Sequence, residues 1–407
     1  MAVKRIIMHI DMNSYFATVE QQANPLLRGK PIVVSGKEGS RSIIVASSRE
    51  AKLLGVKTGL LQHEARALCP ELIFVEPDGA KYDFLHRQFV DIFKRFTDKV
   101  QIFSIDEAFL DVSFFCSDFA GAIVMANEIK QMIRTELGEW VSCSVGIAEN
   151  KLLAKLASDL QKPDGLVVID ESNKWDILDK VKLTDFCGIG RRIGQRLDLL
   201  GIDSVRKLRE FSVVDLVSEF GPVCGNRLHQ ISLGLDEDEV VSFLNEEEVK
   251  SISRAYTLPA NTCSKDEILV VLLHLIEAAT KELRSKNLFG KTIVVYLRYD
   301  NFTHCGIRQS LAGYTNNSSE VFSLARQRIM ASKLKRPVRL VGIYIANLLA
   351  DYAQLPLWSD DRQRKSLDKC FDKINDRYGE LTIKPALLLK LQRLKHKVGG
   401  FRPSLRD

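Results

Sequence analysis

Two adjacent acidic residues, Asp106 and Glu107, give the strongest chemical signal in the sequence. They lie between two short apolar runs, 100–103 and 108–112, and this pattern predicts a β-hairpin. At a turn both carboxylates can point at one place, and two like charges at close range repel each other. A divalent ion between them removes that repulsion, and magnesium is usually held by one or two carboxylates together with substrate phosphates.

A third acidic residue, Asp11, stands where the apolar run 4–10 ends. That run predicts a buried strand, and ligands of open α/β sheets bind at strand ends. Together with the acidic pair, Asp11 supplies three oxygen donors for a two-metal site. In such a site two ions about 3.5–4 Å apart hold the attacking and leaving oxygens of a phosphoryl displacement. The alternative for the acidic pair alone is a solvated hairpin tip.

These segments resemble the Y-family translesion DNA polymerases, most closely the bacterial DNA polymerase IV type. The likeness extends over nearly the whole chain, and its motifs are specific because they occur together in this order. They are the sequences DMNSYF at 11–16, EAKLLGVKTG at 50–59, SIDEA at 104–108, SVGIAENK at 144–151 and KLASDLQKPDG at 155–165.

The resemblance implies an α+β multidomain protein with a ferredoxin-like palm, small fingers, a helical helix-hairpin-helix thumb and a βαββαβ little finger. The bounds that we predict are 1–19 and 80–168 for the palm, 20–79 for the fingers, 169–235 for the thumb, 236–248 for an acidic linker, 249–350 for the little finger and 351–407 for a C-terminal tail.

Carried over residue by residue, the resemblance makes Asp11, Asp106 and Glu107 the catalytic metal ligands. The carbonyl oxygen of Met12 is a further donor, and the cofactor is a pair of Mg²⁺ ions. Phe16 matches the position whose ring occupies the volume of a ribose 2′-hydroxyl and so selects the sugar. For Phe16 alone, the alternative is plain core packing.

Four basic residues match positions near the triphosphate: Arg49, Lys52, Lys155 and Lys162. The family often has tyrosine and arginine where this chain has Arg49 and Lys52. A lysine cannot reproduce the two parallel hydrogen bonds of a guanidinium group. For the lysines of the segment 151–162, the alternative is a solvated helix face opposite an apolar stripe.

The segment 169–235 has helical patterns and contains Gly188-Ile189-Gly190-Arg191. A Gly-x-Gly turn that opens a helix leaves backbone N–H groups free for an anion. With a helix stop at Gly201, this pattern indicates a helix-hairpin-helix that binds the DNA backbone without reading sequence.

The segment 249–350 shows the order of a βαββαβ unit. Its predicted strands are 251–257, 291–299, 303–311 and 340–346, and its predicted helices are 265–286 and 318–334. Arg336 and Arg339 belong to a basic cluster there. Such a cluster is usually a solvated face, but the resemblance implies contact with duplex phosphates and therefore salt-sensitive binding.

Beyond this segment, Gln354, Leu355, Leu357 and Trp358 resemble the peptide by which bacterial polymerases dock on the β subunit sliding clamp. Apolar side chains of this kind anchor interfaces. The alternative is a loop packed on its own domain. A helix is predicted near 361–378, followed by a basic end.

Composition agrees with a chain of several domains, since 407 residues exceed one ordinary core. The net charge of +6 favours a nucleic-acid partner only weakly. Eight cysteines without a Cys-x-x-Cys pair indicate free thiols in a reducing cytoplasm. The longest apolar stretch, 268–276, is too short to span a bilayer, and no signal peptide is expected.

The sequence thus predicts a cytoplasmic, monomeric DNA polymerase of low fidelity that acts on primer–template DNA and dNTP in translesion synthesis. No segment looks like an exonuclease, so we expect no proofreading. One alternative is a catalytically silent adaptor that binds DNA and the clamp, although such a protein would be expected to lose metal carboxylates. Another is a nucleotide cyclase, which the thumb pattern and the clamp-like peptide disfavour.

Overall fold

The computed structural model describes residues 5–242, 249–350 and 359–390, and the side chains of the last range from residue 367. The chain divides into two compact units, whose boundary falls between residues 242 and 249. Within the described ranges, no helix is long and apolar enough to cross a bilayer.

The first unit mixes strands and helices. Its strands are β1 (Ile7–Met12), β2 (Ile32–Ser35), β3 (Ile44–Ser47), β4 (Ile73–Val75), β5 (Val100–Ile102), β6 (Glu107–Asp111), β7 (Cys143–Ala148) and β8 (Leu166–Ile169). Its helices are α1 (Tyr15–Ala23), α2 (Arg49–Leu53), α3 (Gln62–Leu68), α4 (Gly79–Phe93), α5 (Phe119–Leu137), α6 (Lys151–Leu160), α7 (Lys174–Leu178), α8 (Arg191–Leu199), α9 (Val205–Glu210), α10 (Val213–Phe220) and α11 (Pro222–Leu233).

The central sheet of this unit has the strand order β5-β6-β1-β7-β8. Strand β1 runs antiparallel to β6 and β7, and β5 and β6 form the predicted hairpin. Because side chains alternate along a strand, Met8 and Ile10 pack with α4 and α5 on one face, whereas Ile7 packs with α6 on the other. Asp11 follows Ile7 by four residues and therefore lies on the face toward α6.

Helix α6 lies directly against β7 because of a glycine. A Cβ added to Gly146 would be 2.1 Å from the carbonyl oxygen of Ala154 and 2.3 Å from the backbone nitrogen of Ser158. Any larger residue would push the helix away from the sheet. Gly146 therefore sets how near α6 comes to the ends of β1 and β6.

A second, smaller sheet lies between α1 and α4 in the chain. Its order is β3-β2-β4, and α2 and α3 cover it. It has a core of its own, made of Val33, Ile44, Ala51, Val56, Ala65, Cys69 and Leu72. The segment between α1 and α4 thus folds around a core of its own.

The helices α7 to α11 follow the central sheet and complete the first unit. Gly188 has φ of +101°, a backbone conformation that other residues rarely adopt. This turn leads into α8, with Gly190 as its N-cap residue, and Gly201 follows the helix with φ of +76°. The predicted helix and its stop are confirmed.

The second unit is a βαββαβ fold, as predicted. Its elements are β9 (Ser251–Thr262), α12 (Lys265–Ser285), β10 (Leu288–Tyr299), β11 (His304–Thr315), α13 (Ser318–Ala331) and β12 (Val338–Ala350). The sheet is antiparallel with the order β11-β10-β12-β9, and α12 and α13 share one core with it. The strands extend several residues beyond their predicted ends.

The described part of the predicted tail packs on the second unit. It forms helix α14 (Ser359–Tyr378) and a short 3₁₀ turn, Ala386–Lys390. Arg284 of α12 binds both carboxylate oxygens of Asp372 in α14, at 2.6 and 2.8 Å. Leu388 is buried beside Val270 and Leu273. Helix α12 thus supplies the ion-pair partner of Asp372 and the apolar contacts of Leu388.

The first residues of the predicted linker pack on the first unit. Asp236 is buried, because Arg227 supplies a counter-charge at 3.0 Å and the backbone N–H of Leu152 donates a hydrogen bond at 3.1 Å. Val240 is buried in the same core as α6. Residues 236–240 therefore belong to the first unit.

Candidate active site

The three acidic residues named by the sequence come together at one end of the central sheet. Asp11 of β1 and Glu107 of β6 are directly opposite each other in the strand register. Asp106 precedes β6, and its carbonyl oxygen accepts a hydrogen bond from the backbone N–H of Met12 at 2.8 Å. The ladder between β1 and β6 therefore continues into the hairpin turn and fixes the two segments to each other.

Burial makes this a poor place for negative charge. Desolvation raises the pKa of Asp11, although the Lys162 ammonium group acts in the opposite direction. Desolvation also raises the pKa of Asp106, against the hydrogen bond that its carboxylate accepts from Ser104. Each of the two carboxylates is further destabilised by its acidic neighbours. A cation placed among them would remove this penalty.

Glu107 behaves differently from the two aspartates. Burial alone would raise its pKa, but contacts with His9 and with the ammonium group of Lys155 lower it to about 2. The Nε2 atom of His9 lies 3.1 Å from Oε2 of Glu107, and Lys155 donates a hydrogen bond to the same oxygen. Glu107 is therefore ionised at neutral pH in this arrangement.

Lys162 reaches the site from the loop that follows α6. Its Nζ atom lies 2.8 Å from Oδ1 of Asp11 and 2.7 Å from Oδ1 of Asp159. Although burial would lower it, these two carboxylates raise the pKa of Lys162 overall. The loop is fixed by Asn13, whose Oδ1 accepts a hydrogen bond from the backbone N–H of Asp164 at 2.8 Å.

The second sheet brings two further cations toward the site. Lys52 of α2 donates a hydrogen bond to the Ser14 hydroxyl at 2.7 Å. Desolvation and then the nearby charge of Lys162 lower the pKa of Lys52, so the two ammonium groups are close enough to repel each other. Arg49 is exposed at the first turn of α2. A polyanion beside Lys52 and Lys162 would relieve their repulsion.

Phe16 lies on α1, partly buried, with its ring 4.5 Å from the ring of Tyr82. Tyr82 is held in turn by a hydrogen bond of 2.8 Å from its hydroxyl to Glu20. One side of the Phe16 ring is thus supported by a fixed neighbour. The remaining exposure leaves room for a contact with another molecule.

The donor set fits a hard divalent cation in type, since it consists of carboxylate and carbonyl oxygens. Because Asp11 and Asp106 are desolvated, a nearby positive charge would also stabilise their ionised forms. Among the described residues, however, no three His, Cys, Asp or Glu side chains are grouped as a metal site. Lys162 and Lys155 instead hold Asp11 and Glu107. A cation would therefore exchange with two ammonium groups.

Comparison with known proteins decides the family. Residues 10–159 match the model of the impB/mucB/samB family, residues 249–357 match the C-terminal domain of that family, and residues 184–236 match the thumb domain of DNA polymerase iota. DNA polymerase IV of Moorella thermoacetica is 38% identical over 388 residues, which cover 94% of this chain and 96% of the relative.

The chain belongs to the Y family of DNA polymerases, in the DNA polymerase IV group.

Other similarities agree with this membership. DNA polymerase IV of Pelotomaculum thermopropionicum is 36% identical over 97% of this chain and 98% of the relative. Among solved structures, a Y-family chimera of Dbh and Dpo4 has a TM-score of 0.77 and 27% identity, and covers 85% of this chain and 100% of the chimera. An insertion ternary complex of Dbh DNA polymerase has a TM-score of 0.59 with the same identity and coverage.

The Y-family architecture of palm, fingers, thumb and little finger is thus the fold of this chain. The first unit contains the palm carboxylates and residues 184–236, which match the thumb domain. The second unit contains residues 249–357, which match the C-terminal domain of the family.

The candidates for DNA contact lie on different elements: Arg191 on α8, Arg336 in the loop before β12, and Arg339 on β12. Arg191 is exposed at the first turn of α8, next to the Gly188–Gly190 turn. In the second unit, Arg336 pairs with Asp300 at 2.7 Å, and Arg339 lies over the ring of Phe302. Gln354, Leu355, Leu357 and Trp358 lie outside the described residues.

Sequence reasoning missed several residues that shape this Y-family site. Asn13 and Ser104 are small polar residues next to predicted ligands, and nothing in their spacing distinguishes them from loop residues. His9 gave a clearer signal, because it is a polar residue inside the apolar run 4–10. A buried polar side chain needs a partner, and Nδ1 of His9 has one in the hydroxyl of Ser158, at 2.8 Å.

Proposed function

We propose that this chain is a template-directed DNA polymerase of low fidelity that acts in translesion synthesis without a proofreading exonuclease. In this reaction the primer 3′-hydroxyl loses its proton and its oxygen bonds to the α-phosphorus of a dNTP. The bond from that phosphorus to the oxygen that bridges the α- and β-phosphates breaks, and pyrophosphate leaves with that oxygen. The observation that carries the proposal is the placement of Asp11 opposite Glu107, with Asp106 bonded to the end of β1.

Polymerases of this family depend on metal ions, and we assign two Mg²⁺ ions to this site. Asp11, Asp106 and Glu107 would hold them, with the carbonyl oxygen of Met12 as a further donor. When bound, such ions stabilise charge on the attacking and leaving oxygens. The carboxylates contribute fixed negative charge at a desolvated position, and the strand register keeps them there.

We assign the triphosphate to the basic side chains beside the carboxylates. Lys162 and Lys52 are supported by their location within reach of Asp11 and Ser14. Arg49 lies one helical turn from Lys52 and adds a third cation. Lys155 contacts Glu107 in this structure, so its phosphate role requires it to leave that carboxylate.

Phe16 is assigned to sugar discrimination, because its ring is backed by Tyr82 and still partly exposed. Replacing Phe16 by alanine should raise ribonucleotide incorporation relative to deoxynucleotide incorporation, since the volume of the 2′-hydroxyl becomes available. Single-nucleotide insertion with matched dNTP and rNTP measures the ratio. Unchanged sugar selectivity would remove this role from Phe16.

We assign DNA-backbone contacts to the Gly188–Gly190 turn with Arg191, and to Arg336 and Arg339 on the second unit. Such contacts release counterions, so binding should weaken steeply with salt and vary little with sequence. Salt-independent DNA binding would contradict these contacts.

The domain bounds that we assign are 1–19 and 80–168 for the palm, 20–79 for the fingers, 169–240 for the thumb, and 249–350 with α14 for the little finger.

The segment 354–358 is assigned to a sliding clamp through Gln354, Leu355, Leu357 and Trp358, and the chain is assigned as a monomer. The family resemblance of these residues supports the clamp role, together with their location after β12. Loss of clamp-stimulated synthesis, with basal synthesis retained, is expected when 354–358 is deleted. Equal stimulation of both proteins would contradict it.

The central experiment replaces both Asp106 and Glu107 by alanine. Primer extension should be abolished while binding to primer–template DNA is retained, because the carboxylates hold metal and not DNA. Asp91→Ala is the matched control, since Asp91 is an exposed acidic residue on α4 of the same domain. A double variant that still extends primers would overturn the proposed function and favour a DNA-binding adaptor.

A further inference from the structure

His9 is a buried polar side chain in the middle of the palm sheet. It has no solvent exposure, and it lies on β1 two residues before Asp11, so both side chains face α6. Its ring packs on Phe109 with a centroid distance of 4.6 Å. Packing alone would be served better by an apolar residue, because burying imidazole nitrogens costs free energy unless they find partners.

Both nitrogens of His9 do face polar atoms of the active-site elements. Nδ1 lies 2.8 Å from the hydroxyl oxygen of Ser158 on α6. Nε2 lies 3.1 Å from Oε2 of Glu107 on β6, a close contact outside hydrogen-bond geometry. Among the described residues, His9 thus connects the helix that carries Lys155 with the strand that carries Glu107.

The protons of this group can be placed by elimination. A carboxylate that binds a metal ion is deprotonated and can only accept, so the nitrogen that faces Glu107 must carry a proton. The other nitrogen, Nδ1, faces a hydroxyl that can donate to it, so a ring with a single N–H satisfies both contacts. That N–H is then on Nε2, and Nδ1 accepts from the Ser158 hydroxyl. The hydroxyl also lies 2.8 Å from the carbonyl oxygen of Lys155, and it must turn from that oxygen to His9.

We propose that His9, oriented by Ser158, is a positioning residue that holds the Glu107 carboxylate from the interior of the palm. The proposal rests on the metal assignment made above. Lys155 holds the same carboxylate oxygen, but its ammonium group is repelled when a metal cation arrives. A neutral imidazole carries no such repulsion, so His9 retains Glu107 in place when Lys155 leaves. Partners of this kind fix the orientation of metal ligands.

The test uses Mn²⁺ as the probe. Mn²⁺ is titrated into the full-length protein bound to a dideoxy-terminated primer–template and dNTP, and free Mn²⁺ is measured by electron paramagnetic resonance. His9→Leu should weaken Mn²⁺ binding about tenfold. His9→Gln should recover most of the affinity, because its amide keeps an N–H donor. Phe109→Leu is the packing control on the same face, and it should bind Mn²⁺ like the native protein.

The outcomes separate the possible failures. If His9→Leu binds Mn²⁺ as tightly as the native protein, or if Leu, Gln and the Phe109 control weaken it equally, His9 is only a core residue. If the native protein binds no more Mn²⁺ than Asp106→Ala, the metal assignment itself fails.

A second measurement does not depend on any variant folding well. Long-range ¹H–¹⁵N correlation of the histidine rings in the native protein should show His9 protonated on Nε2, with the signal assigned by its loss in His9→Gln. A ring protonated on Nδ1 would overturn the proposal, because its Nε2 could not donate to Glu107.

Discussion

Each unit places three carboxylates near basic side chains; these are Asp11, Asp106 and Glu107 in the first and Glu277, Asp368 and Asp372 in the second. In the first unit, Lys155 lies on α6 and Lys162 on the loop that follows it, and each offers a single ammonium group. In the second unit, one arginine, Arg284, binds Asp372 through two parallel hydrogen bonds and also donates to the carbonyl oxygen of Asn316 at 2.9 Å.

The difference separates an exchangeable site from a structural joint. An ammonium group is a point charge on a flexible stem, so a metal ion or a phosphate can replace it. A guanidinium fork with two bonds fixes geometry, and Arg284 joins helix α12 to α14 in this way. Acidic clusters of similar composition can therefore either bind a ligand or join two helices. A lysine partner indicates the first role, and an arginine with two parallel hydrogen bonds indicates the second.

The largest predicted change is a loss of stability when Arg284 is replaced. Arg284→Ala leaves Asp372 without its partner in a mostly buried place, and this should lower the free energy of unfolding of the second unit by about 3–5 kcal/mol. Arg254→Ala is the control, because Arg254 pairs with Glu282 of the same helix at a more exposed position and should cost about 0–1 kcal/mol. Denaturant unfolding measures both. Equal losses would contradict the distinction between joint and surface pair.

The next effect concerns catalysis rather than stability. Lys162→Ala removes a charge-assisted contact worth about 1.5–3 kcal/mol, so catalytic efficiency for dNTP should fall roughly 10–100-fold. The unfolding midpoint should change little, since the side chain is one-third exposed. Lys162→Arg should retain part of the activity. A loss of stability in place of activity would make Lys162 a structural residue like Arg284.

The smallest effect is a pH dependence in the second unit. Burial raises the pKa of Glu277, against the hydrogen bond from Ser318 and the charge of Arg284. The folded state thus holds this proton more tightly than the unfolded state. The resulting stability is complete at pH values below the ordinary pKa of glutamate, and it is lost as the pH rises through the raised value.

Glu277→Gln should therefore be more stable than the native protein at pH 7, and the difference should diminish as the pH falls toward 4. Glu282→Gln is the matched control on α12 with the opposite sign. Burial would raise the pKa of Glu282, but Lys286 and Arg254 lower it overall, so losing this carboxylate should cost stability at pH 7. Unfolding measured from pH 4 to 8 compares the two. The same sign for both would contradict these assignments.

The sequence predicted the elements that carry the site more completely than the contacts within it. The hairpin around Asp106, the strand that ends after Asp11 and the helix that begins at Arg191 all follow local patterns. The sequence did not predict that the segment after residue 359 packs on α12, or that Asp236 is buried. In both places an acidic residue pairs with an arginine of an earlier helix: Asp372 with Arg284 of α12, and Asp236 with Arg227 of α11.

By itself, the sequence determined the order of strands and helices, the three acidic residues and the likeness to the Y family. These depend on side-chain periodicity and turn chemistry, which act between near neighbours. Only the tertiary structure decided that Lys155 binds Glu107, that His9 lies behind the same carboxylate, and that α14 is joined to α12. Such pairs depend on how closely packed elements approach, for example at Gly146, and an approach between distant segments leaves no local pattern in a single sequence.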